Sequence, residues 1–249
     1  MDIVYTIWLR NMKRYTRSKS RIIGSISMPL FFLLFLGFGL NSVVRIPNTG
    51  QDYIQFLIPG IVAMSVLFTS VFSGIQIIWD KQFGFLKETL VAPVSRLEIM
   101  FGQTLGGATT SFVQGAIILS LSLFAGLHIA NPLGFVIACG FMVLIGISFT
   151  AFGIALASRM EDMQGFQLIM NFVVFPIFGL SGALFPISSL PSWAAPVTLF
   201  DPLTYGVEGV RYGLTGISQV NPLTCLFVLA AFAGATTLLG AYLFRKIEV

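Results

Sequence analysis

Apolar residues along this chain come in continuous runs, and charged residues fall almost entirely between the runs. There are 23 uncharged residues between Arg21 and Arg45, 27 between Asp52 and Asp80, 38 between Asp162 and Asp201, and 33 between Arg211 and Arg245. A helix crossing a bilayer needs about 20 apolar residues, so each gap holds one. The 60 residues between Glu98 and Arg159, interrupted only by His128, hold two. The stretch Gly126-Leu127-His128-Ile129-Ala130-Asn131-Pro132 supplies the turn between them. The pattern predicts six spans, at 22–44, 57–79, 99–127, 133–157, 167–186 and 223–244.

Composition fixes the solvent. Hydrophobic residues make up 56% of the 249 and charged residues 10%, against roughly 25% charged in a soluble domain. With 25 Phe as well, a water-soluble fold has nowhere to hide the apolar surface. In lipid every backbone polar group must be satisfied internally, by helices or a closed barrel. Runs without alternation select helices. The fold class is therefore all-α integral membrane, with residues 1–249 as one transmembrane domain.

Charge then sets orientation. Six spans put both termini on one side. Twelve of the 14 basic residues fall there: Arg10 to Arg21 in the leading segment, Lys81, Lys87 and Arg96 after the second span, Arg159, and Arg245 with Lys246 at the end. Only Arg45 and Arg211 fall on the other side. Positively charged loops stay cytoplasmic, so both termini and residues 80–96 are expected inside, in the cell membrane of a prokaryote. The net charge of +4 is explained by this asymmetry and gives no case for nucleic-acid binding. The basic start followed by an apolar run also fits a secretory signal, but the run is too long for one. Cys139 and Cys225 fall in separate spans and read as small apolar packing residues.

Two segments outside the spans carry pattern. In residues 1–21, Val4, Tyr5, Trp8, Leu9, Met12 and Tyr15 recur at helical spacing, opposite a stripe of Arg10, Arg14, Arg17 and Arg21. This predicts a basic amphipathic helix lying on the inner leaflet before the first span. The second segment is a charged island between spans two and three, Asp80 to Arg96, with five charges in an otherwise uncharged neighbourhood. Phe83, Leu86 and Leu90 share one helical face, and Pro93 ends the helix because it lacks an amide donor. Apolar anchors mixed with both signs of charge suit a surface that meets another protein.

The island, reading DKQFGFLKETLVAPVSR, resembles the first cytoplasmic loop of the ABC-2 type permeases, membrane subunits of one class of ATP-driven exporters. The resemblance rests on an opening acid (Asp80), a Gly-x-Leu element (Gly84, Leu86) and a closing Pro93-Val94-Ser95-Arg96. A second match follows the fifth span: Phe185-Pro186-Ile187-Ser188-Ser189-Leu190-Pro191-x-Trp193, then Asp201-Pro202-Leu203-Thr204-Tyr205-Gly206-Val207-Glu208-x-x-Arg211. The chain departs from the family at Lys87, where an acid is common and here follows as Glu88, and at Asp201, where Asn is common.

The resemblance implies a transport subunit without enzymatic activity of its own. Two permease copies form the path as a homodimer. Each docks an ABC nucleotide-binding subunit, which carries the ATP and Mg, through a cytoplasmic coupling helix. The coupling residues implied are Asp80, Phe83, Gly84, Leu86, Glu88, Leu90, Pro93 and Arg96. The chain has no Gly-x-x-x-x-Gly-Lys-Ser/Thr run to cradle a phosphate, so no cofactor is expected on it. Residues 187–222, broken by Pro191, Pro196, Pro202 and Pro222, read as short outer helices capping the exit. Pro186, Trp193, Tyr205, Glu208 and Arg211 would form that outer gate, with Glu208 and Arg211 as an exposed pair adding ~0–1 kcal/mol.

Ionisable groups are nearly absent inside the spans, which argues against a proton-coupled carrier or ion pump. The remaining polar groups include Gln103, Thr110, Gln114 and Asn171, candidates for lining a path to an amphiphilic substrate. Gly102-x-x-x-Gly106 and Ala230-x-x-x-Gly234 permit close helix approach. Scattered carboxylates and one His do not make an enzyme site. A passive channel or secondary carrier is the alternative reading. It should show matching repeats in the two halves, and none is evident.

Overall fold

The computed structural model describes residues 3–41, 52–85, 95–191 and 194–246. The long elements are helices: α1 (Ile3–Arg17), α2 (Lys19–Phe32, continued by a π-turn at Leu33–Phe38), α3 (Tyr53–Ser73), α4 (Ile75–Gln82), α5 (Arg96–Phe124), α6 (Pro132–Ala157), α7 (Met163–Leu180), α8 (Ala194–Phe200), α9 (Pro202–Thr215) and α10 (Pro222–Arg245). Five are long and apolar enough to cross a membrane, counting α3 with α4 as one span. Counting the bent pair of α1 with the following helix, meeting at 71°, as one span brings the number to six.

Local sequence sets the helix starts. Asn131, Asp201 and Asn221 each cap a helix through a side-chain oxygen, and each is followed by Pro at the first turn. Proline fits there because its missing amide would have had no partner. Ser95 and Glu98 form a reciprocal capping box that starts α5. Gly84, at φ 74°, ends the second span in a left-handed turn that a side chain would strain.

Small residues decide which helices touch. α3 and α6 cross where a methyl group on Gly74 would collide with the backbone of Gly153. α10 lies along α6, with Phe149 and Phe232 rings 5.4 Å apart. The Gly102-x-x-x-Gly106 stripe on α5 admits α1: Ile7 sits on Gly102 and Asn11 on Gly106. Trp8 Nε1 also donates to Thr109 Oγ1 at 3.0 Å. The apolar face of α1, with Ile7 and Tyr15 buried, is thus occupied by the third span. The corresponding stripe at Gly234 meets nothing within 4 Å among the described residues.

α8 and α9 form a hairpin, and α9 packs into the bundle. Gly213 lies on Ala138, Gly209 on the Phe141 ring and Gly206 on Ile145, so α9 runs back along the first half of α6. Ile145 is 13 residues beyond Pro132, roughly 20 Å along α6 at 1.5 Å per residue. The hairpin tip at Asp201 therefore reaches past the middle of a ~30 Å hydrocarbon layer. Non-helical backbone is tolerated at that depth only where protein surrounds it, and Asp201 and Thr198 are buried.

Candidate functional site

Asp80 closes the second span and is only 6% exposed. Arg10 Nη2 reaches one carboxylate oxygen at 2.8 Å and Gln76 Nε2 the other at 2.7 Å. Gln103 Nε2 adds a longer contact at 3.4 Å, and its own Oε1 accepts from Asn11 Nδ2 at 2.8 Å. The Arg10 guanidinium also lies 4.8 Å from the Phe85 ring. One residue later, Lys81 Nζ donates to the carbonyls of Ser158 and Met160 at 2.7 and 3.4 Å. Gln82 Nε2 donates to the Glu161 carbonyl at 2.8 Å. The opening of the charged island is thus clamped to α1, to α5 and to the turn after α6.

Asp80 is thus buried at the root of the island. Its carboxylate faces the bundle and is already engaged, because a buried charge without partners would cost several kcal/mol. Phe83 follows the end of α4 at Gln82, just before the left-handed turn at Gly84. Phe83 stacks on Trp79 at 5.2 Å and is 71% exposed. Leu86, Glu88, Leu90 and Pro93 lie outside the described residues. Arg96 opens α5 and donates to the Arg245 carbonyl at 2.6 Å, joining the start of the third span to the end of the last.

The four candidate path residues separate. Gln103 and Thr110 line a cavity of about 380 Å³ between α1, α2, α3 and α5. Gln114 is fully buried beside it and accepts from the Tyr15 hydroxyl at 2.7 Å. Asn171 is half-buried on α7, away from the cavity lining. The cavity residues that sequence reading missed are Asn11, Arg14 and Tyr15. Their signal was present: the face of α1 that carries Tyr15 also carries Trp8, and two polar-tipped aromatics suit a partner with hydroxyls and amides.

The residues of the expected outer gate form a different kind of site. Glu208 and Arg211 are paired but buried, at 0% and 2% exposure, which overturns the exposed pair. Arg211 Nη2 donates to the Gly182 carbonyl at 2.9 Å, and its guanidinium lies 3.9 Å from the Phe56 ring. The second Glu208 oxygen accepts from the Gln219 amide at 2.5 Å. Tyr205 donates to the Leu199 carbonyl at 2.8 Å, tying α9 to α8. Pro186 is buried before the 3-10 turn Ile187–Ser189, and Trp193 lies outside the described residues.

A helical bundle of five to six spans, with a clamped charged segment at its basic end and a re-entrant hairpin opposite, defines a multi-pass membrane protein. Comparison with known proteins gives the family. The ABC-2 type transporter family matches residues 3–215, and the chain belongs to it. It is 31% identical over 193 residues to the putative transport permease ycf38 of Cyanophora paradoxa, covering 77% of this chain and 67% of that protein. It is 27% identical to the inner membrane transport permease YadH of Escherichia coli K12, covering 91% and 88%. It is 24% identical to nodulation protein J of Rhizobium leguminosarum bv. viciae, covering 96% and 94%. Membership makes the chain a transport subunit, and the family as a whole works with ATP-binding partners.

Proposed function

We propose that this chain is the transmembrane subunit of an ATP-driven exporter. Two copies form the translocation path, and each docks a separate ABC nucleotide-binding subunit through residues 80–96. That partner binds ATP and Mg. The cargo is amphiphilic, and the chain sits in the plasma membrane of a prokaryote with both termini cytoplasmic. The observation that carries this reading is the clamp at Asp80, Lys81 and Gln82. It joins the root of the charged island to α1, α5 and the turn after α6. A push on a segment rooted in this way is delivered to several spans at once. A mere connector has no need of such anchorage.

Co-purification with the nucleotide-binding subunit tests the docking. Truncating a central apolar anchor costs ~2 kcal/mol or more of binding. Leu86→Ala with Leu90→Ala is therefore expected to insert at normal levels, lose the partner on purification, and lose cargo-stimulated ATP hydrolysis. Normal partner recovery and stimulation in that variant would reduce the island to a connector.

Topology has its own test. In a background without Cys139 and Cys225, a cysteine at position 95 should resist an impermeant maleimide in intact cells, and cysteines at 48 and 189 should react. Labelling of position 95 from outside would overturn the orientation and the docking with it.

A further inference from the structure

The cavity between α1, α2, α3 and α5 has the composition of a ligand site. Its volume of about 380 Å³ falls within the range of small-molecule pockets, roughly 300–1,000 Å³. One wall is apolar, formed by Met28, Pro29, Met64, Phe68 and Phe72. The facing wall carries Asn11, Tyr15, Gln103 and Thr110. Ser65 lines the same space, is 2% exposed, and its hydroxyl finds no partner. Its neighbours on α3 behave otherwise: Ser70 and Ser73 donate to carbonyls one turn back. A buried hydroxyl left unsatisfied costs free energy.

Charge specifies the molecule. At the bend between α1 and α2 lies an open groove lined by Arg10, Lys13, Arg14, Arg17 and Lys19. Arg14 lines both the groove and the cavity, so the two spaces adjoin. Among the described residues, no Asp or Glu lines either space, and no carboxylate pairs with Arg14. Arg10, the remaining groove cation nearest an acid, is held by Asp80. The result is a cationic entrance opening onto a mostly apolar chamber with a minority of hydroxyls and amides.

We propose that this cavity binds an anionic amphiphile with a single apolar chain. The anionic head is held by Arg14 and hydrogen-bonded by the polar wall, with the chain laid against Met28, Met64 and Phe68. The groove collects the anion and hands it to Arg14. Bulk attraction of α1 to an anionic bilayer accounts for the groove alone. It does not account for the adjoining cavity or for Ser65. The proposal rests on the export reading only in making the bound molecule a cargo. The site itself belongs to the lone chain.

The test uses the purified full chain in a maltoside detergent, titrated with dodecyl phosphate and counted by native mass spectrometry. One molecule per chain is expected to bind saturably, and inorganic phosphate should not displace it. Charge-assisted hydrogen bonds are strong, so Arg14→Gln should weaken binding about tenfold. Ser65→Val should weaken it a few-fold. Gly24 lines the cavity and a side chain there meets nothing within 4 Å, so Gly24→Phe should fill the space and abolish binding at unchanged thermal stability. If that variant is poorly folded, Thr69→Trp blocks the same space from α3. Lys13→Gln, in the groove that collects the anion but not in the cavity, should weaken binding less than Arg14→Gln, by about twofold.

Absence of saturable binding overturns the proposal. So does equal weakening by Lys13→Gln and Arg14→Gln with no effect of Gly24→Phe or Thr69→Trp, the signature of surface attraction. Recovery of the nucleotide-binding subunit is measured separately. Its failure alongside intact dodecyl phosphate binding counts against the export reading and leaves the site standing.

Discussion

Arg211→Ala is expected to cost about 3–5 kcal/mol, the usual loss when one partner of a buried ion pair is removed. The side chain ties three elements together. It pairs with Glu208 on α9, donates to Gly182 after α7, and lies on Phe56 of α3. Without it, Glu208 is left buried with the Gln219 amide as its remaining contact. The re-entrant hairpin then has a stranded carboxylate in an apolar slot, and leaving the slot becomes the cheaper state. Membrane abundance should fall several-fold, and the detergent-solubilised protein should lose its monodisperse peak at lower temperature. Glu208→Ala should do the same, since it strands the guanidinium. The double variant Glu208→Leu with Arg211→Met should recover most of the loss, because apolar replacement of a whole buried pair is often neutral or stabilising. An Arg211→Ala protein as abundant and heat-stable as the parent would show that the hairpin does not depend on this pair.

Asp80→Ala should cost about 2–3 kcal/mol, from the loss of hydrogen bonds to a charged group. Arg10 is the main partner and keeps some contact with solvent, at 29% side-chain exposure, so the penalty is smaller than at Arg211. The informative readout is functional. The island still emerges at Gly84, so the nucleotide-binding subunit should still co-purify, while cargo-stimulated hydrolysis should fall because the island's root no longer grips α1 and α5. Arg10→Gln with Asp80→Asn replaces the ion pair by two amides and should recover more stability than Asp80→Ala. Loss of partner recovery in Asp80→Ala at normal abundance would instead make Asp80 part of the docking surface.

Several features were readable because they are local. Asn131-Pro132 and Asp201-Pro202 carry the capping oxygen and the first-turn proline side by side. The long apolar runs are legible because bilayer thickness sets their length, whatever packs against them, and five to six of them appear as helices long and apolar enough to cross. Burial could not be read in the same way. Glu208 and Arg211 sit three apart and announce a pair, but nothing in their spacing says whether water or Phe56 faces them. Asp80 and Arg10 are 70 residues apart, and only the bundle brings them together.

By itself, the sequence determined the all-helical membrane class, the apolar runs, and a charged island between the second and third spans. It also carried the two motifs that mark the family. The tertiary structure alone decided that α1 seats on Gly102 and Gly106, and that α9 lies on Ala138, Phe141 and Ile145. It alone left a chamber between α1, α2, α3 and α5. The physical reason is range. Crossing a bilayer is settled by consecutive residues, whereas close approach depends on which small residue faces which helix, and that is fixed only when all the spans have packed.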